Sequence, residues 1–468
     1  MVSVLSVEPQ YFRFMINNDL TTLLERYDVA VPRYTSYPTV PHWNYEDWSI
    51  EQWKTAVSTR FEEENGEVCI YIHLPFCEEM CTYCACNKRI TKNHKVEEPY
   101  IASVLKEWEM YKTLFSKKPI IREIHLGGGT PTFFSPFHLN ALISAITDDA
   151  FIAPHHEFSV EVHPNYTTRK HLEALYASGF NRISVGVQDF DPNVQFLINR
   201  LQTFERTKEV ISQAREIGFT SVNVDLIYGL PGQSIFSIEH TIERIQELDP
   251  DRIAFYSYAH VPWKSKGQRR YSDNDLPKAD KKIEMYQKGS ARLQALGYVS
   301  IGMDHFAKPS DQLMVAYANG ALHRNFMGYT TTNHRLVIGL GASSISDAWS
   351  GFAQNEKTVE EYQMKVLQGS WPIVNGHILD EEDMIIRRSI LDLMCKDITA
   401  IPYFSMSESH QREAYEKLLQ FALEGLIELE GHEVRITAKG RLFIRNIASS
   451  LDAYLHSQIG ETKFSKAI

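Results

Sequence analysis

Short apolar runs alternate with longer helix-like stretches from about residue 69 onward. The runs are rich in β-branched and aromatic residues, which suit a pleated sheet, and the apolar spacing between them fits one face of a helix. Strands are predicted at residues 69–74, 121–126, 158–162, 182–187, 221–227 and 252–258. Helices are predicted between them, at residues 99–115, 168–178, 205–217 and 235–248. Six strand-then-helix units in series predict parallel strands joined by right-handed crossovers.

The polar residues indicate which kind of parallel sheet these units form. Glycines and polar side chains follow most of the predicted strands, and in β/α barrels the chemistry sits where the strands end. This placement favours a partial, six-stranded (β/α)6 TIM-like barrel over a doubly wound sheet. We therefore predict an α/β fold with one reactive face.

The chain of 468 residues is long enough for two or three domains. Mixed helix and strand continues after residue 265, with strands predicted at 298–303 and 336–340. From residue 379 two helices, a hairpin turning near Gly431 and a last helix follow, an order that resembles a small, mostly helical winged-helix-like domain. The predicted divisions are an N-terminal substrate-covering segment, the barrel with its extension and the C-terminal helical domain, at residues 1–66, 67–375 and 376–468.

The charge balance narrows the classes of partner. The net charge is −11, whereas a phosphate-binding surface needs a concentrated excess of Lys and Arg, so no nucleic acid partner is expected. Lys439, Arg441 and Arg445 favour DNA binding by the C-terminal domain, but the acidic chain makes a structural or substrate-covering role the better interpretation. No apolar run approaches the roughly 20 residues of a membrane span, and residues 1–11 lack the pattern of an export signal. A cytoplasmic protein without a membrane span is expected.

Four of the six cysteines fall within one short loop, Cys77-Glu-Glu-Met-Cys81-Thr-Tyr-Cys84-Ala-Cys86. In a reducing compartment such crowding indicates metal or redox chemistry, because disulfide frameworks are spread through small secreted chains. The spacings suit three corners of an iron-sulfur cubane, and three ligands leave one iron open to a further molecule. Zinc held by all four thiolates is the alternative, although structural zinc sites usually pair two separated knuckles.

Residues at the ends of the other predicted strands could bind a ligand beside this loop. The glycine triplet 127–129 follows the second strand, where a ligand can lie against backbone that offers N–H and C=O groups. Glu161 lies near the end of the third strand and can accept hydrogen bonds from an ammonium group or from ribose hydroxyls. Gln188 and Asp225 end the fourth and fifth strands, with Arg200 between them, and this set suits a zwitterionic amino acid and a ribose. A tight turn, a salt bridge or a strand cap is the structural alternative for each residue taken alone.

Several of these motifs together resemble one family. Cys-x3-Cys-x2-Cys after a first barrel strand is the signature of the radical S-adenosylmethionine (SAM) superfamily. The fourth cysteine, in Cys86-Asn87-Lys88, resembles the oxygen-independent coproporphyrinogen III oxidases. The resemblance covers nearly the whole chain through Pro32-Arg-Tyr-Thr-Ser-Tyr-Pro38, Gly127-Gly-Gly-Thr-Pro-Thr132, Gly186-Val-Gln-Asp-Phe190, Asp225-Leu-Ile-Tyr-Gly-Leu-Pro231, Gly302-Met-Asp-His-Phe306 and His323-Arg-Asn-Phe326.

The resemblance implies which residues hold which cofactor in a radical SAM barrel. It assigns Cys77, Cys81 and Cys84 to one [4Fe-4S] cluster, and Cys86, Tyr71 and Glu161 to catalysis. One SAM molecule binds the cluster and a second binds beside it, the second through positions that include Gln188, Arg200 and Asp225. The whole implied set of SAM contacts is Tyr71, Tyr83, Gly128, Gly129, Thr130, Glu161, Gln188, Arg200, Asp225, Ala259 and Ile345.

The implied reaction converts two propionate side chains of coproporphyrinogen III into vinyl groups without oxygen, giving protoporphyrinogen IX. A low-potential donor of the flavodoxin or ferredoxin type would supply the electron that cleaves SAM to methionine and a 5′-deoxyadenosyl radical. Arg33 and Arg324 are candidates to pair with substrate carboxylates, because Arg can bind a carboxylate through two hydrogen bonds.

Two positions differ from the family, and two other functions compete. His163 stands where the family usually has an acid, and Met327 where it often carries glutamine, which argues against a polar substrate contact there. A haem chaperone of the same superfamily and a haem-degrading radical SAM methyltransferase are the rival functions. Both characteristically lack a cysteine at the position of Cys86.

Overall fold

The computed structural model describes residues 20, 22–43, 48–457 and 464–466. The predictions made for residues 1–11, and for the remaining undescribed part of the segment 1–66, lie outside the described residues. None of the described helices is both long and apolar enough to cross a membrane.

The described chain contains nineteen strands in chain order. They are β1 (Glu67–Leu74), β2 (Phe76–Cys77), β3 (Arg89–Ile90), β4 (Ile120–Gly128), β5 (Phe151–Val162), β6 (Arg182–Gln188), β7 (Ser221–Tyr228), β8 (Arg252–Ser257), β9 (Val299–Ile301), β10 (His305–Ala307), β11 (His323–Asn325), β12 (Gly328–Thr330), β13 (Val337–Leu340), β14 (Ile345–Asp347), β15 (Gly351–Asn355), β16 (Ile373–Ile378), β17 (Ile398–Ala400), β18 (Ile427–Glu430) and β19 (Glu433–Ile436).

The helices of the same residues alternate with these strands. They are α1 (Ile50–Glu63), α2 (Glu97–Lys112), α3 (Pro136–Thr147), α4 (Arg169–Ala177), α5 (Pro192–Leu197), α6 (Phe204–Ile217), α7 (Ile235–Leu248), α8 (Ala279–Ala295), α9 (Gln312–Ala318), α10 (Val359–Leu367), α11 (Glu381–Lys396), α12 (Glu408–Leu423), α13 (Ile444–Ser449) and α14 (Ala453–Ser457).

Six parallel strands form the centre of the fold. They lie side by side in the order β1-β4-β5-β6-β7-β8, and a helix follows each strand and returns the chain to the next. All six predicted strands are confirmed, as are the four predicted helices, now α2, α4, α6 and α7. Buried Val, Ile and Leu alternate with polar or aromatic residues along strands such as β1 and β7, so one face of each strand is apolar and the other carries polar side chains.

Local signals begin and end the crossover helices. Thr168 and Ser234 each begin a helix with a capping box, in which the cap side chain accepts from the N3 backbone N–H and the N3 side chain accepts from the cap N–H. Thr203 begins α6 with the first of these two hydrogen bonds alone. These caps satisfy N–H groups that the first helical turn leaves without a partner. The helix boundaries therefore follow from a few polar residues next to each apolar run.

The same sheet extends beyond the six strands on both sides. β10 and β9 continue it antiparallel next to β8, and β13 pairs parallel with β1 before β14, β15 and β16 follow antiparallel, giving twelve strands. The strands predicted at residues 298–303 and 336–340 are confirmed as β9 and β13, and both are shorter than predicted.

A second hydrophobic core lies under the C-terminal helices. α11, β17, α12 and the hairpin β18–β19 follow one another in winged-helix order, and Gly431 has a φ of 61° in the predicted hairpin turn. Residues of the N-terminal segment belong to this core: Tyr34 is buried and donates to Asp452 Oδ2 at 2.9 Å. The substrate-covering role of that segment stays a prediction.

The three cations that favoured DNA binding contact protein groups in the structure. Arg445 is buried and donates to the Pro32 carbonyl, Arg441 pairs with Asp397, and Lys439 donates to a backbone carbonyl of α12's end. Arg445 in particular ties the C-terminal domain to the N-terminal segment. These contacts agree with the structural interpretation of the three residues.

Candidate active site

The cysteine loop lies at the carboxyl end of β1 and is held from two sides. Thr82 donates its backbone N–H to the Ile198 carbonyl at 2.9 Å, on the connection after β6. Ser265 donates its hydroxyl to the Cys84 carbonyl at 2.9 Å, on the loop after β8. The loop is therefore fixed by contacts with segments that lie more than a hundred residues away in the chain.

A cavity of about 320 Å³ opens where the barrel strands end, and the cysteine loop forms one of its walls. All four loop cysteines line the cavity. Eight of the other predicted site residues line it as well: Tyr83, Gly128, Gly129, Thr130, Glu161, Gln188, Arg200 and Asp225. The remaining predicted residues, Tyr71, Ala259 and Ile345, lie outside its lining.

The four thiols have different surroundings. Thr130 Oγ1 lies 3.4 Å from Cys77 Sγ, and Arg200 Nη1 lies 3.6 Å from Cys81 Sγ, both in position to donate to sulfur. The pKa of the Cys84 thiol is lowered, first by its hydrogen bond with Cys86 and then by the nearby charge of Lys88. Burial raises the pKa of Cys77, and the hydrogen bond with Cys84 raises that of Cys86, so Cys84 gives up its proton more readily than these two.

The loop presents all four of its thiols to the cavity. Thiolates are soft ligands of the kind that hold iron-sulfur clusters, and three of them leave one iron of a cubane open to a further molecule. The donor set of this loop therefore fits a [4Fe-4S] cluster beside the cavity.

The glycine loop after β4 is shaped by its contacts with β1. Gly128 has a φ of 107°, and a Cβ there would lie 2.6 Å from the His73 ring, so only glycine fits. The N–H groups of Gly129 and Thr130 donate to the carbonyls of Leu74 and Phe76. The expectation that the glycine triplet offers backbone N–H groups to a ligand is therefore wrong at Gly129, because the Leu74 carbonyl at the end of β1 already accepts from it.

Glu161 stands over the barrel on β5. His125 contacts it through Nε2 at 3.4 Å and accepts or donates at Nδ1 with Ser159 at 2.7 Å. Burial is the largest single effect and raises the pKa of Glu161, but the hydrogen bonds with His125 and the Gly128 N–H, together with the charges of His125 and His73, make the net shift downward. The side chain is still 45% exposed, so a charged carboxylate faces the cavity and can accept from a ligand.

Arg200 and Gln188 meet above a glycine of β6. Arg200 Nη2 donates to the Gly186 carbonyl at 2.6 Å, and a Cβ on Gly186 would lie 2.7 Å from Nη2 and 2.9 Å from Gln188 Nε2. The Nε of Arg200 is buried without a hydrogen-bond partner among the described residues. A buried guanidinium with an unused donor beside a cavity indicates a place for a carboxylate.

Asp225 lies on β7, where it pairs with Gly186 of β6, the glycine whose carbonyl accepts from Arg200. Ser184 donates to Oδ2 at 3.0 Å and Asn223 donates to Oδ1 at 2.8 Å, so each oxygen keeps one lone pair for a ligand. Burial and the charge of Glu161 raise the pKa of Asp225 to about 6. Asp225 therefore changes from mostly protonated to mostly ionised between about pH 5 and pH 7.

The three predicted residues outside the cavity lining reach it through neighbours. Tyr71 donates to or accepts from His73 at 2.9 Å, and its ring lies 3.2 Å from where a Cβ of Gly127 would be. Gln268 Nε2 bridges the carbonyls of Ala259 and Tyr83. The Ile345 carbonyl lies against Gly339, which pairs with Tyr71.

The two candidate substrate arginines lie on either side of Asp304. Arg324 packs 4.6 Å from the centre of the Tyr329 ring, which lines the cavity, and its Nε and Nη1 are buried without a partner among the described residues. Arg33 donates to the Ser257 carbonyl and lines a separate, smaller cavity. The structure thus brings Arg324 close to the main cavity and keeps Arg33 away from it.

Two substituted positions also line the cavity. Burial and the nearby Arg200 charge lower the pKa of His163, and its Nδ1 accepts from the Asn165 backbone, so the ring is neutral. Met327 supplies an apolar wall at the opposite side. Neither residue replaces the polar group that the family usually carries at that position.

Sequence reasoning missed a layer of polar residues below the site. His125, Ser159, Ser184 and Asn223 point into the barrel and orient Glu161 and Asp225. Their signal is present in the sequence, because each is a polar residue at an inward position of an otherwise apolar strand.

Comparisons with known proteins identify what the chain is similar to. Residues 71–245 match the radical SAM superfamily. The oxygen-independent coproporphyrinogen III oxidases of Pseudomonas aeruginosa and Escherichia coli K12 are each 37% identical to this chain, over 95% of it and 98% of each relative. The solved E. coli coproporphyrinogen III oxidase (HemN), described as a radical SAM enzyme, matches with a TM-score of 0.85 over 90% of this chain and 97% of that one.

Proposed function

The chain belongs to the oxygen-independent coproporphyrinogen III oxidase family of the radical SAM superfamily, and on that premise we propose that it oxidises coproporphyrinogen III anaerobically. Two propionate side chains become vinyl groups, and protoporphyrinogen IX is the product. One observation carries the proposal: three thiols of one loop share a cavity with Glu161, Arg200 and Asp225. The protein is an oxidoreductase.

The residues present fit a [4Fe-4S] cluster and SAM. Cys77, Cys81 and Cys84 would hold the cluster, and Thr130 and Arg200 would donate to two of the thiolates, which moderates their charge. When bound, cluster and SAM together supply a 5′-deoxyadenosyl radical. The protein's own task is to position the groups and exclude water from the cavity.

We propose that Glu161 and Tyr71 contact the SAM molecule at the cluster. Glu161 is ionised and faces the cavity, so it can accept from the ammonium group or the ribose. Tyr71 lies against the glycine loop next to it, and the Ile345 backbone lies behind Tyr71. Cys86 is exposed at the cavity edge, where it can act on the reacting substrate without ligating iron.

A second SAM molecule would lie between Arg200 and Asp225. Arg200 offers an unused Nε to a carboxylate, and Asp225 offers one lone pair on each oxygen to ribose hydroxyls. Gln188 lies beside Arg200, and Gln268 joins Tyr83 to the Ala259 carbonyl at the same edge. This set supports a site separate from the one at Glu161.

The affinity of this second site should depend on pH through Asp225. Because the pKa of Asp225 is raised to about 6, its carboxylate is largely ionised at pH 7 and largely protonated at pH 5. A protonated acid loses acceptor capacity, so affinity should fall by about tenfold between pH 7 and pH 5. Equilibrium binding of SAM to the unreduced protein would measure it.

Asp225→Asn is the matched control for that titration. Its affinity should be weak and nearly constant over the same pH range, because the amide does not ionise there. An identical fall in the parent and in Asp225→Asn would show that another group is responsible. Iron content at each pH must stay constant for the comparison to hold.

Arg324 is our proposed partner for a substrate carboxylate. Two of its buried nitrogens, Nε and Nη1, lack a partner among the described residues, and each could donate to a carboxylate oxygen. The apolar Met327 and the ring of Tyr329 would lie against the macrocycle. A low-potential flavodoxin or ferredoxin would supply electrons.

Anaerobic turnover tests the function directly. The protein with its cluster, SAM, a reductant and coproporphyrinogen III should release CO2 and form protoporphyrinogen IX, with 5′-deoxyadenosine as coproduct. Omitting SAM is the control, and it should give no divinyl product. Tight haem binding without decarboxylation would instead support the haem-chaperone function.

A further inference from the structure

Two basic segments flank the cysteine loop on its outer side. Residues 88–95 contain four Lys or Arg, residues 264–270 contain another four, and no Asp or Glu occurs in residues 80–96 or 252–272. The whole chain has a net charge of −11, so these two segments carry a charge opposite in sign to that of the chain as a whole. Together we call these segments the basic rim; its cations are Lys88, Arg89, Lys92, Lys95, Lys264, Lys266, Arg269 and Arg270.

The fold brings the two segments together although they lie far apart in the chain. Ser265 donates to the Cys84 carbonyl at 2.9 Å, and Gln268 donates to the Tyr83 carbonyl at 2.7 Å. On the other side, Lys88 donates to the same Cys84 carbonyl at 2.9 Å. The basic rim is therefore built on the backbone of the residues whose thiols line the cavity.

Most of the rim is exposed, and it surrounds apolar side chains. Seven of its eight cations are exposed, all except Lys88. Met80, Ile90 and Trp263 are 40%, 40% and 52% exposed among them. Acids border the two segments: Glu78 and Glu97 contact His94, Glu360 pairs with Arg89 at 2.9 Å, and Asp273 lies near His260. An apolar centre within a charged border is the usual composition of a protein interface.

We propose that the basic rim is the docking surface for an acidic electron-donor protein that carries a flavin or an iron-sulfur centre. This inference rests on the proposed function, which requires a one-electron reductant. The donor loses one electron and the cluster gains one, with no proton or co-reactant needed. The rim segments are hydrogen-bonded to the backbone of the loop that carries the thiols, so a donor bound there would lie next to the loop that would hold the cluster.

Charge reversal on the rim tests the docking site. In the variant Lys264→Glu/Lys266→Glu/Arg270→Glu, reduction of the cluster by reduced flavodoxin should be on the order of 10-fold to 100-fold slower at low ionic strength. The difference should shrink at high salt, because salt screens exposed charges. Reduction by methyl viologen, a small cation that needs no docking surface, should not slow. Absorbance bleaching and electron paramagnetic resonance report the reduced cluster without requiring turnover.

Two further variants keep the result interpretable. The matched control Lys170→Glu/Lys208→Glu/Lys288→Glu makes the same change of charge on the outer barrel helices, at exposed positions, and should reduce like the parent. Lys92→Glu/Lys95→Glu alters the other segment of the rim and should also slow reduction of the cluster by flavodoxin. Direct affinity measurements between flavodoxin and each protein should follow the same order.

Three outcomes would overturn the docking proposal. In the first, the outer-helix control slows cluster reduction by flavodoxin as much as the rim variants do. In the second, the rate at which flavodoxin reduces the parent does not change with salt. In the third, the rim variants lose affinity for a DNA duplex but keep their affinity for flavodoxin. Failure of the proposed function looks different: the cluster would still be reduced in a rim-dependent way, but no divinyl product would form with either reductant.

Discussion

Replacing Cys77, Cys81 or Cys84 by serine should abolish cluster binding, whereas Cys86→Ser should keep the cluster and lose turnover. All three cysteines line the cavity, and a serine hydroxyl is a poor substitute for a soft thiolate. Iron affinity should fall by more than the roughly 10–100-fold that is lost when a residue hydrogen-bonded to a metal ligand is removed. Iron and acid-labile sulfide content of anaerobically purified protein would measure it.

Cys86 differs from the other three in its environment. It is exposed, lies two residues beyond Cys84 and hydrogen-bonds with that thiol. Cys395→Ser is a suitable control, because Cys395 is buried in the C-terminal core and outside the cavity lining. If Cys86→Ser lost its iron as completely as the other three variants, the assignment of three ligands would be wrong.

Arg200→Ala should remove one of two bound SAM molecules. Arg200 is buried, its Nε has no partner among the described residues, and its absence would leave a bound carboxylate without its cation. Such a loss typically costs about 2–5 kcal/mol of binding. Equilibrium binding to the unreduced protein should give two SAM equivalents in the parent and one in Arg200→Ala, with impaired vinyl formation in the variant.

The contact between Arg200 and Cys81 calls for two controls. Because Arg200 Nη1 lies 3.6 Å from Cys81 Sγ, iron content must be measured in every variant, and we expect the cluster to survive. Arg206→Ala removes a neighbouring arginine that pairs with Glu209 away from the cavity, and it should bind two equivalents. The proposal of a second SAM site would be contradicted if the parent bound one SAM equivalent, or if Arg200→Ala bound two and turned over normally.

The central fold was predictable from the sequence because its signals are local. Each parallel strand is a short apolar run of β-branched and aromatic residues, and each crossover helix has its own apolar face and a polar cap such as Thr168 or Ser234. These patterns depend on residues within one turn or one strand of each other. The cysteine spacing is also local, so the loop and its metal chemistry follow from the order of residues alone.

The candidate site was also predictable from the sequence, because its residues lie near the ends of the predicted strands. Once the strands are parallel, Glu161, Gln188 and Asp225 must gather at one edge, whatever their distance in the chain. The polar layer beneath them was missed because a buried polar residue in a strand predicts only that it has a partner. Which partner it has depends on the register between neighbouring strands.

Contacts between distant segments were decided only by tertiary structure. Arg200 meets Cys81 across 119 residues of sequence, and Ser265 meets Cys84 across 181 residues. The backbone of the glycine triplet was expected to offer its N–H groups to a ligand, yet the Gly129 N–H donates to the Leu74 carbonyl at the end of β1. Sequence periodicity specifies which face of an element is buried, but it carries no information on which distant backbone group will lie opposite. That choice follows from the packing of the whole barrel, in which nearly all buried backbone N–H groups are paired with an acceptor.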